Sequence, residues 1–302
     1  MRKKTHIICV SSQKGGVGKS TISMLLSVGL LKDFPDLKVL DCDEPQYSLY
    51  RYMQNRQESL NDSLIYQELQ NALQNTSVQN IQGLLEYTQT TNLVNAFKSK
   101  KIQSLKLCLA EKFFKPQNLK EVVFFSECIK CHNLLTEVEA YTGSLCIIDL
   151  PPGDKEISDK AHEISDIIIT IVGDSFMDVV TVTEPKNCFP GYYSEKLWNA
   201  KKIYLQKNNT SQNWLLILNR VSQHKTRNTT HIKKVLNNFA HQSGIKEICC
   251  IKERVTYKEG FLKGLTPLDN IAISTANIAA KQEIKTIIDA VKNLMFAKQK
   301  ET

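Results

Sequence analysis

No run of apolar residues in the sequence approaches the ~18 that a membrane span needs. No stretch rich in proline, glycine and serine divides the chain, and no internal repeat is visible. The first absence argues against a spanning protein, and the other two argue for one domain rather than several. A cleavable leader is not expected, because the apolar run in MRKKTHIICVSS stops within a few residues, at Gln13 and Lys14. An even set of cysteines is also lacking: there are nine, and Cys9, Cys146, Cys249 and Cys250 lie inside apolar runs. That usage fits buried thiols in a reducing compartment better than a disulfide framework. The expectation is a cytoplasmic protein.

The chain has 302 residues, 42% of them hydrophobic and 23% charged, enough apolar material to bury a large core. The formal net charge is +8. It hints at a polyanionic partner, although a solvated basic surface explains charge alone equally well.

Apolar, β-branched runs predict strands at Thr5–Ser11, Leu37–Leu40, Leu145–Ile148, Asp166–Val172, Trp214–Leu218 and Glu247–Ile251, and an alternating segment predicts another at Ser104–Leu109. Helical spacing predicts helices over Ser20–Leu31, Leu119–Tyr141, Thr230–Phe239 and Ala276–Met295. Residues from about Tyr47 to Lys100 are polar and rich in Gln and Asn, and read as a helical insert. Strands that are apolar on both faces and alternate with helices imply a mostly parallel, twisted α/β sheet with helices on both sides.

The chemistry sits at predicted strand ends. SSQKGGVGKSTIS follows the first strand and opens the first helix, the context that a phosphate-binding loop requires. Gly15, Gly16 and Gly18 let backbone N–H groups, that of Val17 among them, turn toward a phosphate. Lys19 would place an ammonium on the β/γ-phosphate oxygens, Ser20 a hydroxyl on Mg²⁺, and Thr21 a donor near the α-phosphate. Asp149, after the strand LCII, can hold Mg²⁺ through a water, and the turn Pro151-Pro152-Gly153 could sense a γ-phosphate through a backbone N–H. Asp41 and Asp43 close the second strand on one side of it: one can stand behind the metal while the other orients an attacking water. Cys128, Cys131 and His132 form C-x-x-C-H, but no nearby second pair completes a zinc site, and structural thiols one helical turn apart are the preferred reading.

Together these residues resemble the ParA/MinD family of deviant Walker A ATPases. Lys14-Gly15-Gly16-Val17-Gly18-Lys19-Ser20 is similar to its KGGxGK[ST] signature, and DCDEPQ to its D-x-D-P-Q element with Glu44 as an extra residue. CIIDLPPG resembles its Walker B segment, and ERVTYKEGFLKGLTPLD its C-terminal stretch. The pairing of QKGGVGKST with DCDEPQYSL is most similar to ParA-type proteins of Bacteroidetes conjugative and mobilizable elements; from about Ser48 to Ser144 the resemblance is thin.

The resemblance implies a phosphate-loop NTPase fold and a Mg²⁺-dependent ATPase that dimerises around two ATP molecules and turns over slowly until a partner protein stimulates it. Lys14 would reach the phosphates of the other subunit. Asp43 would position the water, unless an alignment through Pro45 and Gln46 hands that role to Glu44. Asn219 falls where the family often reads the adenine edge. The implied task is DNA positioning, partition or conjugative transfer, with Lys225, Arg227, Lys233 and Lys234 as a patch for nonspecific DNA. A binding switch with little turnover stays open. So does a membrane-positioning ATPase, which would use the stripe Ile284, Ile287, Ile288, Val291, Leu294 and Met295 with its flanking lysines; such stripes more often pack onto a sheet.

Overall fold

The fold is that of a computed structural model, which describes residues 5–31, 33–61, 127–153, 155–224, 226–262, 264–269 and 275–296. The expected strand at Ser104–Leu109, the insert beyond residue 61 and Lys225 lie outside the described residues.

Seven strands form one sheet: β1 (His6–Ser11), β2 (Lys38–Asp41), β3 (Glu127–Lys130), β4 (Leu145–Asp149), β5 (Ile167–Gly173), β6 (Asn213–Val221) and β7 (Glu247–Lys252). Their order across the sheet is β3-β2-β4-β1-β5-β6-β7, and every pairing is parallel. β4 and β5 are buried along their whole length. That is why LCIID and IIITIVG read as unbroken apolar runs: a parallel sheet has no wet face to demand alternation.

Alternate residues of each strand feed two separate cores. Ile8, Val10, Leu145, Ile147, Ile169 and Ile217 pack on one side, with helices α1 (Lys19–Leu30), α2 (Ser48–Asn61), α8 (Val255–Phe261) and α9 (Thr275–Phe296). Cys9, Cys146, Ile148, Ile168, Trp214 and Leu216 pack on the other. That side is covered by α3 (Leu134–Ala140), α4 (Glu156–Ile164), α5 (Phe176–Val182), α6 (Tyr192–Asn208) and α7 (Arg227–Ser243). α1 and α9 approach so closely that a Cβ on Gly29 would lie 2.1 Å from Ile288 Cδ1. The C-terminal stripe Ile284, Ile287, Ile288, Val291, Leu294 and Met295 is spent on this contact and on the sheet. No helix among the described residues is long and apolar enough to cross a membrane.

One expectation is overturned. Residues 127–141 do not form one continuous helix: Glu127–Lys130 is the edge strand β3, in register with β2, and only Leu134–Ala140 is helical. The apolar positions that suggested a helix are a short strand and a short helix in sequence, and Asn133 caps the latter. Cys128 and Cys131 therefore lie along a strand and its exit instead of one helical turn apart. Cys131 faces Cys42 of the next strand, and its N–H donates to the Asp41 carbonyl at 2.8 Å.

α4 buries His162 against Tyr193 with its Nε2 unpartnered, and burial pushes the imidazole down to about 4. A histidine held neutral by the fold contributes stability above its ordinary value of 6.5, and loses it as pH falls toward 4, because the unfolded chain takes up the proton first. Thermal unfolding followed from pH 7.5 to 4.5 should show a loss on the order of 1 kcal/mol per pH unit below 6.5 from this residue. His162→Gln should flatten the curve in that window.

Candidate functional site

The carboxyl ends of β1, β2 and β4 meet the first helix at one point. β1 ends at Ser11, the glycine loop follows, and α1 starts at Lys19. Gly16 and Gly18 take left-handed backbone, φ 73° and 98°. Gly18 is the N-cap of α1 and contributes no side chain, so the first N–H groups of the helix have no side-chain cap and face the loop. The loop is clamped from β6: Asn219 Nδ2 donates to the Val17 carbonyl at 2.7 Å, and Asn219 is buried. Any side chain at Gly18 would collide with that clamp, its Cβ 2.3 Å from Asn219 Nδ2.

Asp41 and Asp149 are paired in register on neighbouring strands, and neither is exposed to solvent. Ser23 Oγ donates to Asp149 Oδ1 at 2.8 Å, while Oδ2 is buried with no protein partner. Burial, and then the negative charge of Asp41, push the Asp149 carboxyl up to about 7 against the hydroxyls of Ser20 and Ser23 and the charge of Lys19. Asp41 accepts the Asp43 N–H at 3.1 Å and the Tyr50 N–H, in the first turn of α2, at 2.9 Å. Burial raises Asp41 too, and these N–H donors oppose the rise. Lys19 is 5% exposed; burial lowers its ammonium, and Asp149, Asp43 and Asp41 act in the opposite direction.

Three acids thus gather around one buried lysine. The unpartnered Asp149 Oδ2 and the neighbouring Ser20 are hard oxygen donors of the kind Mg²⁺ takes while keeping most of its waters. Asp41, already holding two N–H groups, stands behind them. The donor set fits the ion.

The remaining expected residues fall into place unevenly. Gly15 sits against Pro152, and the Gly153 N–H, expected to face a phosphate, donates here to the Ser12 carbonyl at 3.3 Å. Thr21 is half-buried in the first turn of α1. Lys14 pairs with Asp178 of α5 at 2.9 Å, its side chain still 37% exposed. On α7, Arg227 and Lys234 are exposed and seven positions apart, which places them on one helix face. Lys233 is half-buried and turns toward Cys250 of β7. His132 is drawn to the Asp43 loop, its Nδ1 3.2 Å from Tyr47 Oη and 3.7 Å from Glu44 Oε2, rather than into a metal site with the cysteines. Among the described residues no cluster of three His, Cys, Asp or Glu side chains is arranged to hold a metal by itself.

Several working residues carry no sequence signal. Asp174, after β5, accepts the Ser222 N–H at 3.1 Å and the Thr229 hydroxyl at 2.9 Å, tying the sheet to the start of α7. Arg56 of α2 makes a two-pronged ion pair with Asp269, both contacts 2.7 Å, which fixes α2 behind Asp41. Burial opposes ionisation of Asp269, but the Arg56 guanidinium and Thr266 hold its carboxyl below the usual range. Ser23, Asp178 and Tyr50 join the site through these contacts alone.

The family model of the ATPase MipZ matches residues 6–104 and 84–295. Among solved structures, the chain is similar to the ATP complex of a McdA variant from Cyanothece, with 14% identity, 97% of each chain covered and a TM-score of 0.52. It is also similar to the MinC:MinD cell division complex of Aquifex aeolicus (14% identity, 94% and 96% covered, TM-score 0.49). A third is a plasmid partition protein of Borrelia burgdorferi (16% identity, 95% and 100% covered, TM-score 0.45). The comparison with curated proteins gives no significant match.

Gly18→Ala should leave the fold intact and weaken binding of a fluorescent ATP analogue by roughly tenfold or more, since the new methyl both strains the left-handed backbone and displaces the clamp. Removing the obstacle with Asn219→Ala in the same chain should not restore binding, because the backbone strain at φ 98° persists.

Proposed function

The chain belongs to the MipZ family of ATPases, and from that footing we propose that it is a nucleotide-driven positioning switch that binds Mg-ATP, pairs with a second copy and hydrolyses the terminal phosphate slowly. The observation that supports this most is the buried lysine of the glycine loop ringed by Asp41, Asp43 and Asp149. No other group of described residues combines free helix N–H groups, a fixed ammonium and carboxylates at the end of a parallel sheet, where ligands of such sheets bind.

In this reading Gly15 to Gly18 wrap the β-phosphate with backbone N–H groups, Lys19 neutralises the β/γ oxygens, and Thr21 meets the α-phosphate. Ser20 and, through water, Asp149 and Asp41 would hold Mg²⁺, which would supply further charge compensation. Asp43, fixed by its N–H bond to Asp41, accepts a hydrogen bond from the attacking water. The water oxygen bonds to the γ-phosphorus as the bond to the ADP oxygen breaks, and the water proton leaves with phosphate. Phosphoryl transfer asks for little more than this positioning. Asn219 braces Val17 and, in this reading, would read the adenine edge.

Lys14 is the element that would link hydrolysis to pairing. Its ion pair with Asp178 is partly exposed, and such a pair is worth little, so exchanging it for a phosphate of the second subunit costs little. For the downstream task we favour nonspecific DNA. Arg227 and Lys234 present positive charge on one exposed face of α7. The membrane reading loses its anchor, because the apolar stripe of α9 is buried.

DNA binding by the purified protein with ATP, with ADP and without nucleotide, across a salt series, tests this reading. ATP-dependent binding that weakens steeply with salt is expected, and Arg227→Ala with Lys234→Ala should lower the salt slope by about two. Binding to anionic vesicles in place of DNA would overturn the DNA assignment. Lys14→Ala should abolish ATP-dependent dimers in sedimentation while sparing nucleotide binding by the monomer. Asp43→Ala should prolong the ATP-bound dimer; if it does not, Glu44 or another group positions the water.

A further inference from the structure

The geometry points to Lys155 as a third cation of the nucleotide site, one that meets the terminal phosphate of a bound nucleoside triphosphate. The inference rests on the nucleotide-binding reading above.

Lys155 is the N-cap of α4, with extended backbone (φ −122°, ψ 145°) and no side-chain capping bond. For its own helix the residue is badly chosen. A lysine at a helix N-terminus faces the positive end of the dipole and can accept nothing from the free N–H groups. The neighbouring acid does not explain it either, since Glu156 pairs with Lys160 one turn on.

What surrounds Lys155 is the site already described. Two residues earlier the Gly153 N–H donates to the Ser12 carbonyl, and Pro152 packs on Gly15, so the start of α4 is fastened to the glycine loop. From there the exposed side chain crosses to the Asp43 loop, where Nζ lies 3.5 Å from the Glu44 carbonyl oxygen. A neutral acceptor at that distance is a weak hold for an ammonium. Its charge also reaches Lys19 and is one of the influences lowering it.

Two ammoniums close enough to act on each other repel, and an anion between them removes the repulsion. The start of α1 and the start of α4 add positive partial charge to the same space. A terminal phosphate is an anion of the right charge for that position, and it can replace the Glu44 carbonyl with a stronger, charge-assisted bond. A diphosphate ends one group short of the place. Lys155 would therefore favour the triphosphate over the diphosphate, and it would report the change to the Asp43 loop by letting go of Glu44.

The test measures the affinities of the purified full chain for a non-hydrolysable ATP analogue and for ADP, both with Mg²⁺. Lys155→Ala and Lys155→Met should each weaken the triphosphate analogue about tenfold and change ADP by less than about twofold, with the melting temperature of the free protein unchanged. Lys155→Arg should restore most of the preference. Equal weakening of both nucleotides, or no change in either, would overturn the inference and leave the nucleotide reading standing. Failure of the unmodified protein to bind either nucleotide would overturn both.

Discussion

The packing of two acids side by side at the end of a buried parallel sheet is the constraint on which the rest of the site depends. Asp41 and Asp149 face each other in register without solvent, an arrangement that like charges and burial both oppose. Each is provided for separately. Asp41 takes two backbone N–H groups, one of them at the start of α2, and Asp149 takes the Ser23 hydroxyl and the field of Lys19. The oxygen left over on Asp149 is buried with no protein partner. That oxygen is a hard, anionic donor, and a cation beside it would relieve the conflict.

Holding such a pair requires that the elements around it not move. α2 is placed by the Arg56–Asp269 ion pair behind it, and the glycine loop by Asn219 in front of it. Asp174 performs a similar service between β5 and α7. Most of these clamping residues, Asp174, Asn219, Ser222, Thr229 and Asp269, lie far along the chain from the glycine loop. The site is thus assembled from segments more than 200 residues apart, as the Asn219–Val17 bond shows.

The cysteines follow from the same architecture. Cys9 and Cys146 fill the second core beneath the sheet, and burial pushes both thiols up to about 12, so they are held as inert thiols. Cys42 sits between Asp41 and Asp43 because an apolar side chain is needed on the face opposite the acids. Its neighbour Cys131 meets it across the strand pair.

The order of residues was enough to read the strand–loop–helix start, most of the parallel strands, the loop Gly15 to Ser20 and the acids at strand ends. These are local properties: apolar runs mark strands buried on both faces, and glycine at left-handed positions marks the loop. It misread residues 127–141, because a short strand followed by a short helix mimics helical spacing. Nor could it separate Lys233 from Arg227 and Lys234, which needed the rotation of α7 against β7. Only the tertiary structure decided that Lys14 rests on Asp178, that Asn219 braces Val17 and that the α9 stripe is covered. Each of these is a meeting of distant segments, and its energy depends on distances that the order of residues along a chain does not contain.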